Sequence, residues 1–394
     1  MVKHICMVAY SNYLNDTRIR REAETLSSIP GYMVLVLALK ELNSSPKTYT
    51  KDGVKVQELN IAKYRGKSNS KYIISYFIFM LLAFFTCSRL LINKSLDIIH
   101  IHNMPNFLVF SGIIPLLFGK KIILDVHDTM IETYSAKFKG SDHKLLFWLL
   151  HLEELLSCAL AHKIICVNHV QRQVLIERGI PKDKMIISMN VPDPKKFYNV
   201  KISDKLKSEG HFRLVFYGTI AKRLGIDLAI RAIAELYGKI PGLELHILGG
   251  GDDIHEFIDL SRELKIQEII HIYDKYLPIE EIIEFLKKMD VVIVPNRKNA
   301  ATELMLPVKL LEGVVLGLPV IVPRLKTIEY YFSEDMVYYF EPDNVDSMAD
   351  AMINAYNNET ERKEKVRKAK RFTEKYGWEI QKFDLINLYK SLLP

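Results

Sequence analysis

Cysteine is scarce in this chain: four in 394 residues, at Cys6, Cys87, Cys158 and Cys166, scattered and with no Cys-x-x-Cys pair. That spacing excludes a disulfide framework and a zinc ribbon, and it leads us to expect reduced, core-lying thiols in a cytoplasmic protein. No Asp-x-Asp pair occurs, so the short acidic motif that commonly holds a divalent cation is missing. The loop after the first apolar run has no Gly-x-Gly-x-x-Gly, which removes the main support for a dinucleotide site. Residues 4–9 form an apolar start too short for a signal peptide and run into Asp16-Thr17-Arg18 where a small-residue cleavage site would be needed, so no secretory signal is expected. Internal repeats and low-complexity segments are absent beyond two halves of the same βα type. Residues 72–88 carry no charge over seventeen positions in a row.

What is present fits a large α/β protein. The length exceeds what one hydrophobic core usually serves, and an apolar share of 49% excludes a disordered chain. Apolar β-branched runs alternate with amphipathic stretches, the pattern of parallel sheets wound with helices. The net charge of +7 is uneven, +10 over residues 1–200 and −3 over 201–394, so the first half suits an anionic membrane surface or anionic acceptor. No nucleic-acid partner is expected. We expect a first Rossmann-like domain over 1–199, a second over 200–375, and a terminal helix over 376–394 crossing back to the first, with a polar linker near 199–210.

In the first domain, residues 2–9, 32–39, 97–101, 121–126, 163–167 and 185–189 read as strands. The helix over 17–28 should turn Ile19, Ala23 and Leu26 inward and leave Arg18, Arg20, Arg21 and Glu22 outside. His100 and His102 share one strand face by the period of two, but no further ligand has a recognisable metal spacing. The uncharged run 72–88 follows the basic segment Lys63, Arg65, Lys67 and Lys71. A membrane span needs about 20 residues and would remove the crossover to the next strand from the domain, so a span is set aside. Two readings stay open: a buried crossover helix, or a surface helix that dips Tyr and Phe residues into a bilayer while the lysines meet lipid head groups.

Residues 302–322 organise the second half. A turn leads into an apolar helix carrying Lys309 and Glu312, and Gly317-Leu318-Pro319 stops it and opens a strand. Lys309 and Glu312 are three apart on one face near the helix N-terminus, where free N–H groups and the dipole attract an anion. An ordinary i,i+3 ion pair is the alternative.

Pro307-x-Lys309-x-x-Glu312 followed by Gly317-x-Pro319-Val320 resembles the donor-site signature of the family 4, or group 1, glycosyltransferases. The resemblance implies a GT-B fold of two facing Rossmann-like domains, and a retaining, metal-independent sugar transfer from a nucleotide-diphosphate sugar with no cofactor. It also implies a glycan or lipid-linked acceptor, as in cell-surface polysaccharide synthesis on the inner face of the membrane. Glu312 takes the place of the family's ribose contact and Lys309 that of a diphosphate cation. The family's other glutamate falls on Leu304, with Glu303 one residue earlier as the nearest carboxylate for the sugar. In the Gly218-Thr219 loop, which joins Gly250 in donor binding, the family's Arg and Lys positions hold Thr219 and Leu224. Arg223, with Lys222 beside it, is then the stand-in.

On the acceptor side the resemblance points to Asn15 and Asp16 in the first loop and to the segment Asp125–Glu132, whose His127 would meet the donor sugar while Asp128 and Glu132 meet the acceptor. The nucleobase would lie near Tyr273, Lys275 or Tyr276. Two other readings compete: a nucleotide-sugar epimerase of the same shape, and a silent partner subunit, for which the changes at Thr219, Leu224 and Leu304 speak.

Overall fold

The computed structural model describes residues 2–64, 66, 68–137, 144–192, 194–197 and 210–393. Arg65, Lys67 and all but the last residue of the 199–210 linker lie outside them. The chain divides into two compact units, Met1–Asn190 with Gln381–Pro394, and Val191–Ile380. These boundaries differ from the expected 199/200 and 375/376. Val191 is already buried, and the short helix Pro194–Phe197 packs on helices of the second unit, so the chain joins that unit before the polar stretch. At the other end the Gln381 side chain accepts from the Met189 N–H at 2.9 Å, and the Tyr389 hydroxyl lies 2.7 Å from His100 Nδ1.

The first unit holds β1 (Lys3–Ala9), β2 (Tyr32–Lys40), β3 (Thr48–Lys51), β4 (Val54–Ala62), β5 (Ile98–His102), β6 (Lys121–Val126), β7 (Lys163–Cys166) and β8 (Met185–Ile187). They form one sheet in the order β3-β4-β2-β1-β5-β6-β7-β8. Every pairing is parallel except β3 with β4, a hairpin turning at Asp52-Gly53. Central strands such as Ile98–His102 are buried at every position, as covering both faces of a parallel sheet requires.

The second unit holds β9 (Phe212–Tyr217), β10 (Leu243–Gly249), β11 (Ile270–Asp274), β12 (Val291–Ile293), β13 (Val320–Pro323) and β14 (Tyr338–Phe340), all parallel, in the order β11-β10-β9-β12-β13-β14. In each sheet the strand order reverses beside the first strand, between β1 and β5 and between β9 and β12. Ligands of open α/β sheets collect at the carboxyl edge of such switch points.

The uncharged run lies in a 24-residue helix, Asn69–Ile92, that carries the chain from β4 to β5. Its Phe79, Ala83 and Cys87 sit in the core with Leu108, Val109, Ile99 and Ile101. Residues Ser70–Ile92 are long and apolar enough to cross a membrane, yet one side of the helix belongs to this core.

Helix Thr17–Ser27 departs from expectation. Arg18, Arg21 and Glu22 are buried along with Ile19, Ala23 and Leu26. The reason is non-local: Asp125, at the end of β6, supplies a buried counter-charge to Arg18.

Candidate functional site

In the second unit the site is built where β9 ends. Tyr217 closes the strand, and Gly218 follows with φ +105°, a conformation that side-chain-bearing residues avoid. A Cβ at Gly218 would lie 2.8 Å from Lys309 Cε and 3.1 Å from its Nζ, so the glycine is what lets the lysine lie directly on the loop. Lys309 projects from the first turn of helix Val308–Leu316, whose start has no side-chain cap. Its ammonium rests 4.8 Å from the Phe216 ring, a weak cation–π contact, and meets no carboxylate within ion-pair distance among the described residues.

One turn on, Glu312 accepts a hydrogen bond from the Tyr217 hydroxyl at 2.8 Å through Oε2. The sequence alternative of a Lys309–Glu312 ion pair is therefore not what the structure forms. Desolvation perturbs both groups. Burial pulls the Lys309 ammonium down to about 8, against the attraction of Glu312 and helped by nearby Arg223. Burial pushes the Glu312 carboxyl up to about 7, against the Tyr217 bond and the Lys309 charge. Both shifts have desolvation as their largest cause, and groups perturbed in this way cluster at functional sites.

Of the two basic residues in the turn Lys222–Leu224, Lys222 is tied to Glu256 and, through its backbone N–H, to Asp253. Arg223 is exposed and lies close enough to Lys309 to depress it further. Thr219 is exposed beside them. The second loop is locked to the first: the Gly218 N–H donates to Leu248 O at 2.8 Å and the Ile220 N–H to Gly250 O at 3.0 Å. Gly250 is roofed by the Tyr276 ring, which a Cβ would meet at 2.6 Å, and the Tyr276 hydroxyl donates to Gly250 O at 3.1 Å. Tyr273, by contrast, stacks on His246 and packs on Phe285.

Glu303 is placed elsewhere. Its carboxylate accepts from the Lys326 N–H at 2.7 Å, at the start of helix Lys326–Tyr331, and pairs with Lys298 at 3.1 Å. Leu304 is buried. The expected sugar carboxylate at 303 is thus already committed to holding the fold.

In the first unit a pocket of about 200 Å³ opens at the carboxyl edge beside the switch point, lined among others by Asp16, Lys63, His102, Asn103, His127 and Asp128. Asp16 caps helix Thr17–Ser27 by accepting from the Ile19 N–H at 3.2 Å. Asn103, which the sequence reading passed over, pins the 127–128 loop: its Oδ1 accepts from the His127 N–H at 2.7 Å and its amide donates to Asp128 O at 2.8 Å. His127 Nε2 lies 3.2 Å from Asp125 Oδ2 and 3.1 Å from His102 Nδ1. Burial alone would raise the Asp125 carboxyl, but Arg18 beside it, with His127 next, holds it well below the usual carboxylate range.

Asn15 and Glu132 are not drawn into this pocket. Asn15 is exposed on the preceding turn, and Glu132 is bound to Arg178, which also grips Glu154 through two contacts of 3.0 Å. His100 and His102 stack at 4.2 Å, and with Glu22 and Asp125 they place potential metal-ligating atoms within 4.8 Å of one another. Arg18 contacts both carboxylates, so part of the negative charge of that cluster is offset from within.

Residues 199–372 match the profile described as glycosyl transferases group 1, and residues 31–193 match glycosyltransferase family 4. The chain belongs to the group 1 glycosyltransferases. An uncharacterized glycosyltransferase of Methanocaldococcus jannaschii is 21% identical over 314 residues, covering 74% of this chain and 85% of that one. Among solved structures, sucrose-phosphate synthase from Thermosynechococcus elongatus superposes with a TM-score of 0.78 at 14% identity, over 99% of each chain. Anabaena HepE, solved with UDP and glucose, superposes with a TM-score of 0.72 at 11% identity, over 99% of this chain and 100% of that one. The fold of this group 1 glycosyltransferase is GT-B, two parallel-sheet α/β units in one chain.

Proposed function

We propose that this glycosyltransferase moves a sugar from a nucleotide-diphosphate sugar onto a glycan or lipid-linked acceptor, with retention and without a metal, in cell-surface glycan synthesis on the cytoplasmic face of the membrane. The observation that carries the donor reading is Lys309 lying on Gly218 with no carboxylate partner, Arg223 close by and Glu312 held by Tyr217. The bond between the anomeric carbon and the diphosphate oxygen breaks, and its electron pair leaves with the diphosphate. Lys309, Arg223 and the uncapped N–H groups of helix Val308–Leu316 oppose the growing negative charge. The acceptor hydroxyl bonds to the anomeric carbon from the side the diphosphate leaves and passes its proton to a phosphate oxygen. Glu312 has one oxygen on Tyr217 and the other for a ribose hydroxyl. Tyr276 offers a ring for the base; in the first unit His127, steadied by Asp125, lines the pocket for the acceptor.

Glu312→Ala is expected to fold normally and to bind nucleoside diphosphate more weakly by about 1.5–3 kcal/mol, the loss of a charge-assisted hydrogen bond. Titration calorimetry checks this, and unchanged affinity removes the ribose assignment. A panel of nucleotide-sugars with a saccharide acceptor tests the reaction itself. Arg223→Ala should slow transfer at least about tenfold while leaving nucleoside binding nearly intact, because the charge it opposes grows as the bond breaks. An isomerised donor without transfer would indicate an epimerase. Absence of any product across the panel would indicate a silent subunit, the reading favoured by Thr219, Leu224 and Leu304.

A further inference from the structure

We propose that the apolar faces of helices Asn69–Ile92 and Lys144–Leu160 seat the first unit in the outer layer of an anionic bilayer, so that the pocket lined by His127 receives an acceptor carried on a membrane lipid. The acceptor half of this inference rests on the glycosyltransferase reading; the docking half does not.

The first helix is inside out. Its inward positions are Ser75, Phe79, Ala83 and Cys87, whereas Ile73, Ile74, Phe77, Ile78, Leu81 and Phe85 stand exposed, and only 22% of its most apolar window is buried. Burial of apolar surface is worth roughly 25 cal/mol per Å², so a helix with a free choice hides its large side chains and shows its small ones. The second helix repeats the pattern, exposing Leu145, Trp148, Leu149, Leu152 and Leu156. Both pack against the same segment, Asn106–Gly112, and join one core layer, which puts them on one side of the sheet. Leu117 and Phe118, at the end of the helix that follows that segment, are also exposed. Single exposed leucines are ordinary; a face of this extent marks an interaction surface.

Charge selects the occupant. The first helix has no charged residue between Lys71 and Arg89, and Lys94 follows just after its end; the second begins at Lys144 and meets its first carboxylate at Glu153. Lys71, Arg89, Lys94 and Lys144 are exposed. A second copy docking by two-fold symmetry would set this basic edge against itself. Anionic head groups neutralise it while the acyl region takes the apolar side chains. The acceptor class follows from position: Tyr72 and Tyr76, on the first turns of the same apolar helix, line the pocket with Lys63, His127 and Asp128. A hydroxyl presented there belongs most naturally to a molecule whose tail lies in the layer the helix enters.

The chain's two tryptophans make the test specific, since Trp148 is 58% exposed and Trp378 only 5%. With vesicles of equal parts phosphatidylglycerol and phosphatidylcholine, the intact protein should co-sediment and its emission should shift to the blue. Trp148→Phe should lose the shift and keep most of the sedimentation. High salt should weaken attachment without abolishing it. Phe77→Glu with Phe85→Glu, both at exposed positions, should reduce vesicle binding at least tenfold and leave the melting temperature and transfer to a water-soluble acceptor unchanged. Lack of co-sedimentation, lack of a blue shift, complete release by salt, or a double variant that binds like the wild type would each overturn the docking. So would a wild-type dimer dispersed by the double variant without any vesicle binding. Failure to transfer sugar to any acceptor, with vesicle binding intact, would instead remove the reaction and leave the docking standing.

Discussion

Lys309→Met is expected to cut transfer by about 10²–10³-fold, the usual cost of losing one preorganised group aimed at a developing negative charge. The side chain lies on Gly218 without a carboxylate partner, so the fold does not depend on its charge. The pH profile carries the signature. In the empty site Glu312 ionises near pH 7 and Lys309 loses its proton near pH 8, so kcat/KM should rise through the first value and fall through the second. Lys309→Met should flatten the alkaline limb, and Glu312→Gln the acid one.

Stability should move the other way. The folded pKa of Lys309 lies below the ordinary 10.5, so between about 8 and 10.5 the unfolded chain binds more protons and stability rises with pH. For Glu312 the folded pKa lies above the ordinary 4.5, so stability falls as pH rises from 4.5 to about 7. Near neutral pH both charges are held at a cost, which a bound nucleotide would relieve. Both variants are therefore expected to melt no lower than the wild type. A Lys309→Met enzyme with wild-type turnover would show that another cation carries the role, and one that melts lower would contradict the assignment of desolvation as the dominant cause.

Arg18→Met should produce the largest loss of stability, about 3–5 kcal/mol, because it strands Asp125 and Glu22 as buried carboxylates without their shared guanidinium. For a unit of this size that corresponds to a fall in Tm on the order of 10 °C. Differential scanning calorimetry would follow it, ideally on each transition separately. Replacing both carboxylates as well, by Glu22→Gln and Asp125→Asn, should recover a large part of the loss, since the penalty lies in the uncompensated charge. A single variant that melts like the wild type would mean that Arg18 contributes nothing net.

The pairing of Lys309 and Glu312 on one helix face was legible in the sequence because its logic is local. Lys309 and Glu312 share a face by helical spacing, and Gly317, at φ +79°, stops the helix where the glycine and proline mark it. The central strands followed from unbroken apolar runs. The β3–β4 hairpin was overlooked although its signal was present, Asp52-Gly53 between alternating strands, with both residues at positive φ. Glu303 stood in for the sugar contact as the carboxylate nearest to the motif position at Leu304, while its hydrogen bond from the Lys326 N–H depends on a segment 23 residues away.

The sequence by itself determined the alternation of strands and helices, the two parallel sheets and the chemistry of the helix that opens at Pro307, because propensity, periodicity and capping are written in neighbouring residues. Only the tertiary structure decided which charges are buried and which apolar residues are not. Arg18 is inside because Asp125, 107 positions later, meets it there, and Asn103 is a hinge pin because the 127–128 loop arrives beside it. The composition of the uncharged run left a core helix and a surface helix both open; β4 and β5 fix its axis so that Phe79 points in and Phe77 and Phe85 point out. A residue's own identity sets what burial or exposure costs; the partner that offsets the cost comes from elsewhere in the chain, and its position exists only once the chain is folded.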